Sequence, residues 1–129
     1  MKRNGILFLL GCIMAILLSG NVNASVKPNG MMYVNAKYVN AKITLDGNSV
    51  KGTVEAEAYS RCSISITMKL QKKVSGSWNT INTWTLSGAN VLSLSLSKTS
   101  SISHGTYRIQ GIVNTGGEVV TKNSTSKTY

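Results

Sequence analysis

Titratable and metal-binding side chains are scarce in this sequence. Among 129 residues there are one histidine, two cysteines and four acidic residues. Acid–base and nucleophilic catalysis need several such groups converging in one site. No cysteine or histidine spacing suits zinc, and the turn Asp46-Gly47-Asn48 lacks the further oxygen ligands of a calcium loop. We therefore predict that the protein is not an enzyme and holds no metal or cofactor.

Two small groupings keep an enzymatic alternative open. Cys62 and His104 would form a nucleophile and a base if the fold brought them together. Glu55 and Glu57 are two residues apart, so they share one face of a strand, as a carboxylate pair could. However, Cys62 has the parity of an apolar strand face and His104 precedes a strand in a turn. Burial and solvation explain these residues better than catalysis does.

The amino terminus has the pattern of a secretory signal peptide. A basic start, Met1 to Gly5, is followed by an apolar run of 13 residues, Ile6 to Leu18, and by small residues ending at Ala24. The run is shorter than the ~20 residues of a membrane span. We predict cleavage after Ala24 and export from the cell. Leu9 to Cys12 has the form of a lipoprotein box, which leaves lipidation of Cys12 as a minor alternative.

The predicted processed chain is short and basic. Without Lys2 and Arg3, twelve Lys and Arg residues face four acidic residues, a net charge of +8. Such a charge attracts anionic cell-wall polymers, acidic lipid headgroups and nucleic acid without selecting among them. Cys62 is the only cysteine beyond Ala24, so an intrachain disulfide is excluded and pairing between chains stays open. The parity of Cys62 favours burial instead.

Apolar and polar residues alternate through most of the remaining sequence, and no stretch has a helical period. Residues 25–32 hold the single proline and no pattern, so we predict a flexible N-terminal arm there. Residues 33–129 are predicted to form one all-β domain, an immunoglobulin-like or fibronectin-like sandwich of about seven antiparallel strands. The predicted strands are Val39 to Leu45, Val50 to Ala58, Cys62 to Lys72, a segment carrying Trp78 and Trp84, Val91 to Leu96, Thr106 to Val113, and Glu118 to Lys127.

The strongest pattern is a hairpin from Cys62 to Leu86. Its two strands are separated by the turn signal Ser75-Gly76-Ser77. The parity of Ile81 disagrees with that of the two tryptophans, which predicts a bulge or a twist between sheets. Further along, Leu92, Leu94 and Leu96 are all expected to face inward, and Thr99 to Ser103 is predicted to be a polar loop.

A tandem repeat precedes the hairpin. Tyr33 to Lys37 and Tyr38 to Lys42 have the same five-residue sequence pattern, Tyr-Val-Asn-Ala-Lys. Because five is odd, the two copies would face opposite sides of one continuous strand. A two-fold binding stripe is therefore disfavoured. The first copy is expected to be an edge extension.

Five short motifs lie between Val50 and Tyr129. They are Lys69-Leu70-Gln71-Lys72-Lys73, Gly76-Ser77-Trp78, Thr83-Trp84, Ser97-Lys98 and Gly105-Thr106-Tyr107-Arg108. In this order they resemble the motifs of small secreted β-sandwich proteins from clostridia-like Gram-positive bacteria. The resemblance implies a sandwich fold and a Gram-positive secreted context, and it carries over no activity and no site residues.

Two further resemblances concern single residues. Tyr107 resembles the tyrosine corner of such sandwiches, whose hydroxyl bonds back to the chain. Two residues on, where immunoglobulins place a second cysteine, this sequence has Ile109, so only the architecture carries over. A resemblance to some Gram-positive adhesins implies a Lys-to-Asn isopeptide bond promoted by Glu55 or Glu57, which stays an open alternative.

A basic-aromatic ligand patch is the one candidate binding site. It comprises Lys69, Lys72, Lys73, Trp78 and Trp84, which follow one another across the predicted hairpin turn. We predict a secreted, non-enzymatic binding or cell-surface module, partnered by an anionic cell-wall polymer or a surface protein. Neither specific nucleic-acid binding nor stable membrane insertion is expected. The alternative is a membrane-active, bacteriocin-like toxin.

Overall fold

Two very long strands form the frame of the structure. The computed structural model describes residues 33–129, in which there are six strands and no helix. The predicted signal peptide, residues 1–24, and the predicted arm, residues 25–32, lie outside the described residues. The strands are β1 (Ala36–Asp46), β2 (Ser49–Val74), β3 (Ser77–Ser101), β4 (Thr106–Thr115), β5 (Glu118–Asn123) and β6 (Lys127–Thr128).

All strands belong to one antiparallel sheet. β3 pairs with β2 along nearly its whole length, while β1 and β4 share the other side of β2. β1 pairs with the first part of β2, up to Ala58, and β4 pairs with the second part, from Ile64 to Lys72. β5 and β6 both pair with β4. The register between β2 and β3 shifts between Glu57 and Cys62, and this irregularity separates the two parts of β2.

The sheet curls so that its two parts pack face to face. A Cβ atom added at Gly111 would lie 2.8 Å from both γ-methyl carbons of Val54, and one at Gly52 would lie 2.8 Å from Cγ1 of Ile109. Two layers of backbone therefore approach each other where only glycine fits. Buried Ile64, Ile66, Met68, Leu70 and Val113 fill the interior around these contacts.

Three two-residue turns connect strands where the sequence predicts turns. Ser75 and Gly76, with φ of 52° and 83°, join β2 to β3. Gly116 and Gly117, with φ of 60° and 97°, join β4 to β5. Positive φ at both central positions matches the right-handed twist of a hairpin. Gly47, with φ of 65°, begins the turn from β1 to β2.

The all-β class predicted from the sequence is confirmed, and the strand count is close to the predicted seven. The predicted strands Val50 to Ala58 and Cys62 to Lys72 are the two parts of β2, because the exposed residues 59–61 continue the strand through the bend. The fourth and fifth predicted strands are likewise parts of β3. The predicted strand Glu118 to Lys127 is divided into β5 and β6.

Two local predictions on β3 are corrected. Thr99 to Ser101 are strand rather than loop, since Thr99 and Ser101 pair with Lys51 and Ser49. Leu92 is 43% exposed, although its parity is that of the core face. It lies on a strand that pairs only with β2, opposite the register shift between Glu57 and Cys62. By contrast, the predicted bulge is present: Leu70 pairs with Asn82 and Gln71 with Thr80, so Ile81 is the extra residue.

A carboxylate fixes the start of β1 to the start of β5. The Glu118 side chain accepts backbone hydrogen bonds from Val34, at 2.8 Å to Oε2, and from Asn35 and Ala36, at 2.7 and 2.9 Å to Oε1. An ionised carboxylate that receives three amide protons forms charge-assisted bonds. These bonds hold the segment that leads into β1.

We predict that Gly111→Ala destabilises the fold by about 1–3 kcal/mol, because the new methyl group overlaps Val54. In a Val54→Ala background, where both γ-methyl groups are gone, the same substitution is expected to cost much less. Denaturant unfolding of the four chains of this double-mutant cycle measures the coupling. Additive costs would contradict the face-to-face contact.

We predict that Glu118→Gln lowers the free energy of unfolding by about 1–2 kcal/mol, because an amide accepts fewer and weaker bonds from the three backbone donors. Hydrogen exchange at Val34, Asn35 and Ala36 should accelerate. Glu57→Gln is the matched control, since Glu57 is exposed and should tolerate the change. Equal exchange rates in both variants would show that Glu118 does not hold this segment.

Candidate functional site

Alternation along β2 sorts its charged residues onto two faces. Met68 and Leu70 point into the core, so Lys69, Gln71 and Lys73 point to the outer face of the sheet. Gln71 pairs with Arg108 on β4 and with Thr80 on β3, which brings side chains from three strands into one row. The outer face of this part of the sheet carries the candidate site.

An indole ring at the end of this face holds two cations. Lys73 pairs with Trp78 across the hairpin, and its Nζ lies 5.6 Å from the ring centroid. The guanidinium carbon of Arg108 lies 4.5 Å from the same centroid. Both distances are within the ~6 Å over which an aromatic ring attracts a cation. Trp78, half-buried, is thus in contact range of two like charges. We name Gln71, Lys73, Trp78 and Arg108 the Trp78 cluster.

A hydrogen-bond relay fixes the orientation of Arg108. Its Nε donates to Oε1 of Gln71 at 2.8 Å, and Nε2 of Gln71 donates to Oγ1 of Thr80 at 3.1 Å. Gln71 is only 7% exposed, so the middle of the relay is shielded from water. The terminal NH2 groups of Arg108 make no hydrogen bond within the described chain.

The charges near the Trp78 cluster are all of one sign. Lys69 lies on the same face, four residues from Lys73, in the row formed with Thr83 and Gln110. Glu118 has the parity of the inner face and is bound to the chain before β1. The remaining acidic residues of the described chain, Asp46, Glu55 and Glu57, belong to β1 and the first part of β2. This face is therefore purely cationic.

The predicted patch is only partly one surface. The structure brings Lys69, Lys73 and Trp78 together, but Trp84 pairs with Met68 on the inner face and packs half-buried against the core. Lys72 also has inner parity: its Nζ lies 3.2 Å from Oγ of Ser103 and 5.7 Å from the Tyr107 ring centroid. Strand alternation separates residues that are adjacent in sequence.

The sequence patch omitted two members of the cluster. Arg108 and Gln71 are distant in sequence, and only the register of β4 against β2 pairs them. Both residues do lie in the motifs that carry the resemblance, Lys69 to Lys73 and Gly105 to Arg108. That resemblance gave them no role. Arg108 and Trp78 both face outward, from the two strands that flank β2. The alternation within each strand could have indicated this shared face.

Tyr107 forms the bond that a tyrosine corner requires. Its ring is buried, and its hydroxyl donates to the backbone carbonyl of Ser103 at 2.8 Å. This bond anchors the turn before β4 to the start of the strand. It positions Arg108, the next residue, at the edge of the outer face.

The alternative catalytic pair is not assembled. Cys62 is buried near the middle of β2, whereas His104 precedes β4 and stacks on Tyr129, with ring centroids 4.4 Å apart. Tyr107 pairs with Lys72, ten residues beyond Cys62, which at ~3.3 Å per residue puts the two regions about 30 Å apart. Within residues 33–129, no group of three or more potential metal-binding side chains occurs.

The Glu55 and Glu57 side chains line a shallow depression on the first part of the sheet. Its volume is about 490 Å³, and Tyr38, Ser93 and Ser95 complete the wall. Glu57 is exposed, and Glu55 is partly exposed. None of the residues that line the depression belongs to the Trp78 cluster.

No protein-family profile matches the sequence, and no curated protein matches it. Similar solved structures include those of OgpA from Akkermansia muciniphila. Wild-type OgpA in two crystal forms has 12% and 11% identity and TM-scores of 0.48 and 0.46. The catalytically inactive form in complex with an O-glycopeptide substrate has 10% identity and a TM-score of 0.45. Each match covers 81% of this chain but 34%, 30% and 32% of the OgpA chains. This chain therefore spans about a third of their length. Residues 33–129 contain no helix with the length and apolar character of a membrane span.

We predict that Gln71→Met frees Arg108 without unfolding the protein. The Nε proton of Arg108 loses its acceptor, so its exchange with water, measured by NMR, should accelerate clearly. The free energy of unfolding should change by less than about 1 kcal/mol, because the guanidinium can turn to water. Thr85→Val, on the same face but outside the relay, is the control. Unchanged Nε exchange in Gln71→Met would contradict the relay.

Proposed function

We propose that this protein is a secreted, non-enzymatic binding module that holds an anionic extracellular polymer against the Trp78 cluster. The single observation that carries the proposal is the pair of cations, Lys73 and Arg108, on one indole ring of a face without carboxylates. Export is inferred from the amino-terminal signal pattern. Wall polymers of Gram-positive cells are the partner that the basic charge favours, in the Gram-positive context that the sequence resemblance implies.

The cationic side chains of the Trp78 cluster are preorganised for binding an anion. Trp78 compensates the repulsion between Lys73 and Arg108, and the bond to Gln71 immobilises the guanidinium. A ligand then does not have to order these side chains, which lowers the entropic cost of binding. Arg108 offers its terminal NH2 groups in a planar array that suits two oxygens of a phosphate or carboxylate.

The spacing of charges favours a polymer over a single small anion. Lys69 and Lys73 are four residues apart on one face, about 13 Å at ~3.3 Å per residue. Polar side chains, Thr83 and Gln110, flank Lys69 in its row. A sheet face with cations at two positions can contact two successive charges of an extended chain. The net charge of the whole protein adds long-range steering toward such a surface.

The test is binding to purified Gram-positive cell walls, before and after chemical removal of their teichoic acid. We expect Lys73→Gln/Arg108→Gln to weaken binding by about tenfold or more, equivalent to ~1.4 kcal/mol. The control, Lys42→Gln/Lys51→Gln, removes the same charge from exposed positions on the first part of the sheet. Arg108→Lys should be intermediate, because a lysine keeps the charge but loses the planar donors.

Three outcomes would contradict the proposal. Equal losses in the two double variants would show that only net charge matters. Full binding to walls stripped of teichoic acid would exclude the anionic polymer as the ligand. We expect the wild-type protein to cause no dye release from anionic liposomes. Dye release would favour the membrane-active alternative.

A further inference from the structure

Among residues 33–129, no strand pairs with the outer edge of β3. β3 pairs only with β2 among the strands of residues 33–129, so the amide and carbonyl groups on its other side face outward. β3 is 25 residues long. An exposed strand edge of this kind is a template for pairing with another strand.

β3 also lacks most of the features that protect an edge. It contains no proline and a single charged residue, Lys98. The β5 edge, by comparison, is six residues long and carries Glu118 and Lys122. The first part of β3 is interrupted by the bulge at Ile81, and Asn90, with φ of 56°, breaks the extended conformation of β3. The uncharged segment between Asn90 and Lys98 is Val91 to Ser97, which we name the open edge. It pairs with β2 in regular register from Ser93 to Ser97, and the register shift at the bend lies opposite Leu92.

The open edge is complementary to a second copy of itself. Leu92, Leu94 and Leu96 share the inner face and Ser93 and Ser95 the outer face. In an antiparallel pair centred on Leu94, leucines meet leucines and serines meet serines, because the pairing preserves parity. Leu92, 43% exposed in the monomer, would lie opposite Leu96 of the second copy.

We infer that the protein forms a two-fold symmetric dimer by antiparallel pairing of the open edge, centred on Leu94. The interface is isologous, as is usual for dimers, and it joins β1, β2 and β3 of both copies into one continuous sheet. The dimer is independent of the proposed polymer binding, since no residue of the Trp78 cluster belongs to the open edge.

Charges are compatible with this register. Lys98 would lie opposite Asn90 of the second copy, and the two Lys98 residues would be about 26 Å apart along the strands. Glu55 and Glu57 line β2, one strand inward from β3. Their counterparts would be about 14 Å away across three strand spacings, beyond the Debye length of about 8 Å at physiological salt. No like charges oppose one another.

The test is sedimentation velocity of the purified protein over a range of concentrations. Wild type is expected to dimerise. Ser93→Lys/Ser95→Lys should raise the dimer dissociation constant by about tenfold or more, because lysines of the two copies then face each other directly. Within one copy these lysines lie beside Glu57 and Glu55, so the monomer should stay folded. Thr85→Lys/Ser87→Lys adds the same charge to the first part of β3 and should leave the dimer intact.

The register has a separate test. Leu94→Cys places two thiols opposite each other with Cα atoms about 4.5–5.5 Å apart, within the range for a disulfide. Mild oxidation should give a covalent dimer, while Thr85→Cys should not. A monomeric wild type at every concentration would overturn the inference. A dimer that persists in Ser93→Lys/Ser95→Lys would also overturn the inference. An equal loss of the dimer in Thr85→Lys/Ser87→Lys would do the same. Failure of wall binding would leave these results unaffected.

Discussion

The close approach of backbone to side chains at Gly52 and Gly111 is the constraint on which the structure depends. One continuous hairpin, β2 with β3, is far too long to be stable as a flat ribbon. It forms a core only by bending and laying one part over the other. That overlay requires the first part of β2 to reach β4 closely, and Val54 fills the space that a Cβ at residue 111 would occupy. The bulk of the buried aliphatic side chains lies between the two parts, so core burial and the bend depend on the same contacts.

The outer face follows from the inner one. Once Met68 and Leu70 are committed to the core, strand alternation leaves Lys69, Gln71 and Lys73 outside. The tyrosine corner at Tyr107 fixes the start of β4 and thereby the position of Arg108. Packing and recognition are thus coupled through register: a one-residue slip of β4 would bury the guanidinium and expose Tyr107.

Much of the fold could be predicted from the sequence because alternation reports directly on burial. The turns at Gly47, Ser75-Gly76 and Gly116-Gly117, the buried Cys62 and the bulge at Ile81 all have local signatures. The continuity of β2 through residues 59–61 has none, since exposed polar residues occur in bends and loops alike. The site was less predictable. Trp84 and Lys72 are close to Trp78 in sequence but on the other face, while Arg108 reaches it through strand pairing that no local pattern encodes.

The carboxylate of Glu118 determines where the preceding polypeptide meets the domain. Its oxygens accept hydrogen bonds from the backbone of residues 34–36. Glu118 pairs with Thr115, which in turn pairs with Ile64 on β2. Trp78 pairs with Lys73, nine residues further along β2, about 30 Å away. A carrier or surface linker joined ahead of Tyr33 would therefore attach at the far end from the indole, leaving the cationic face pointing outward and accessible.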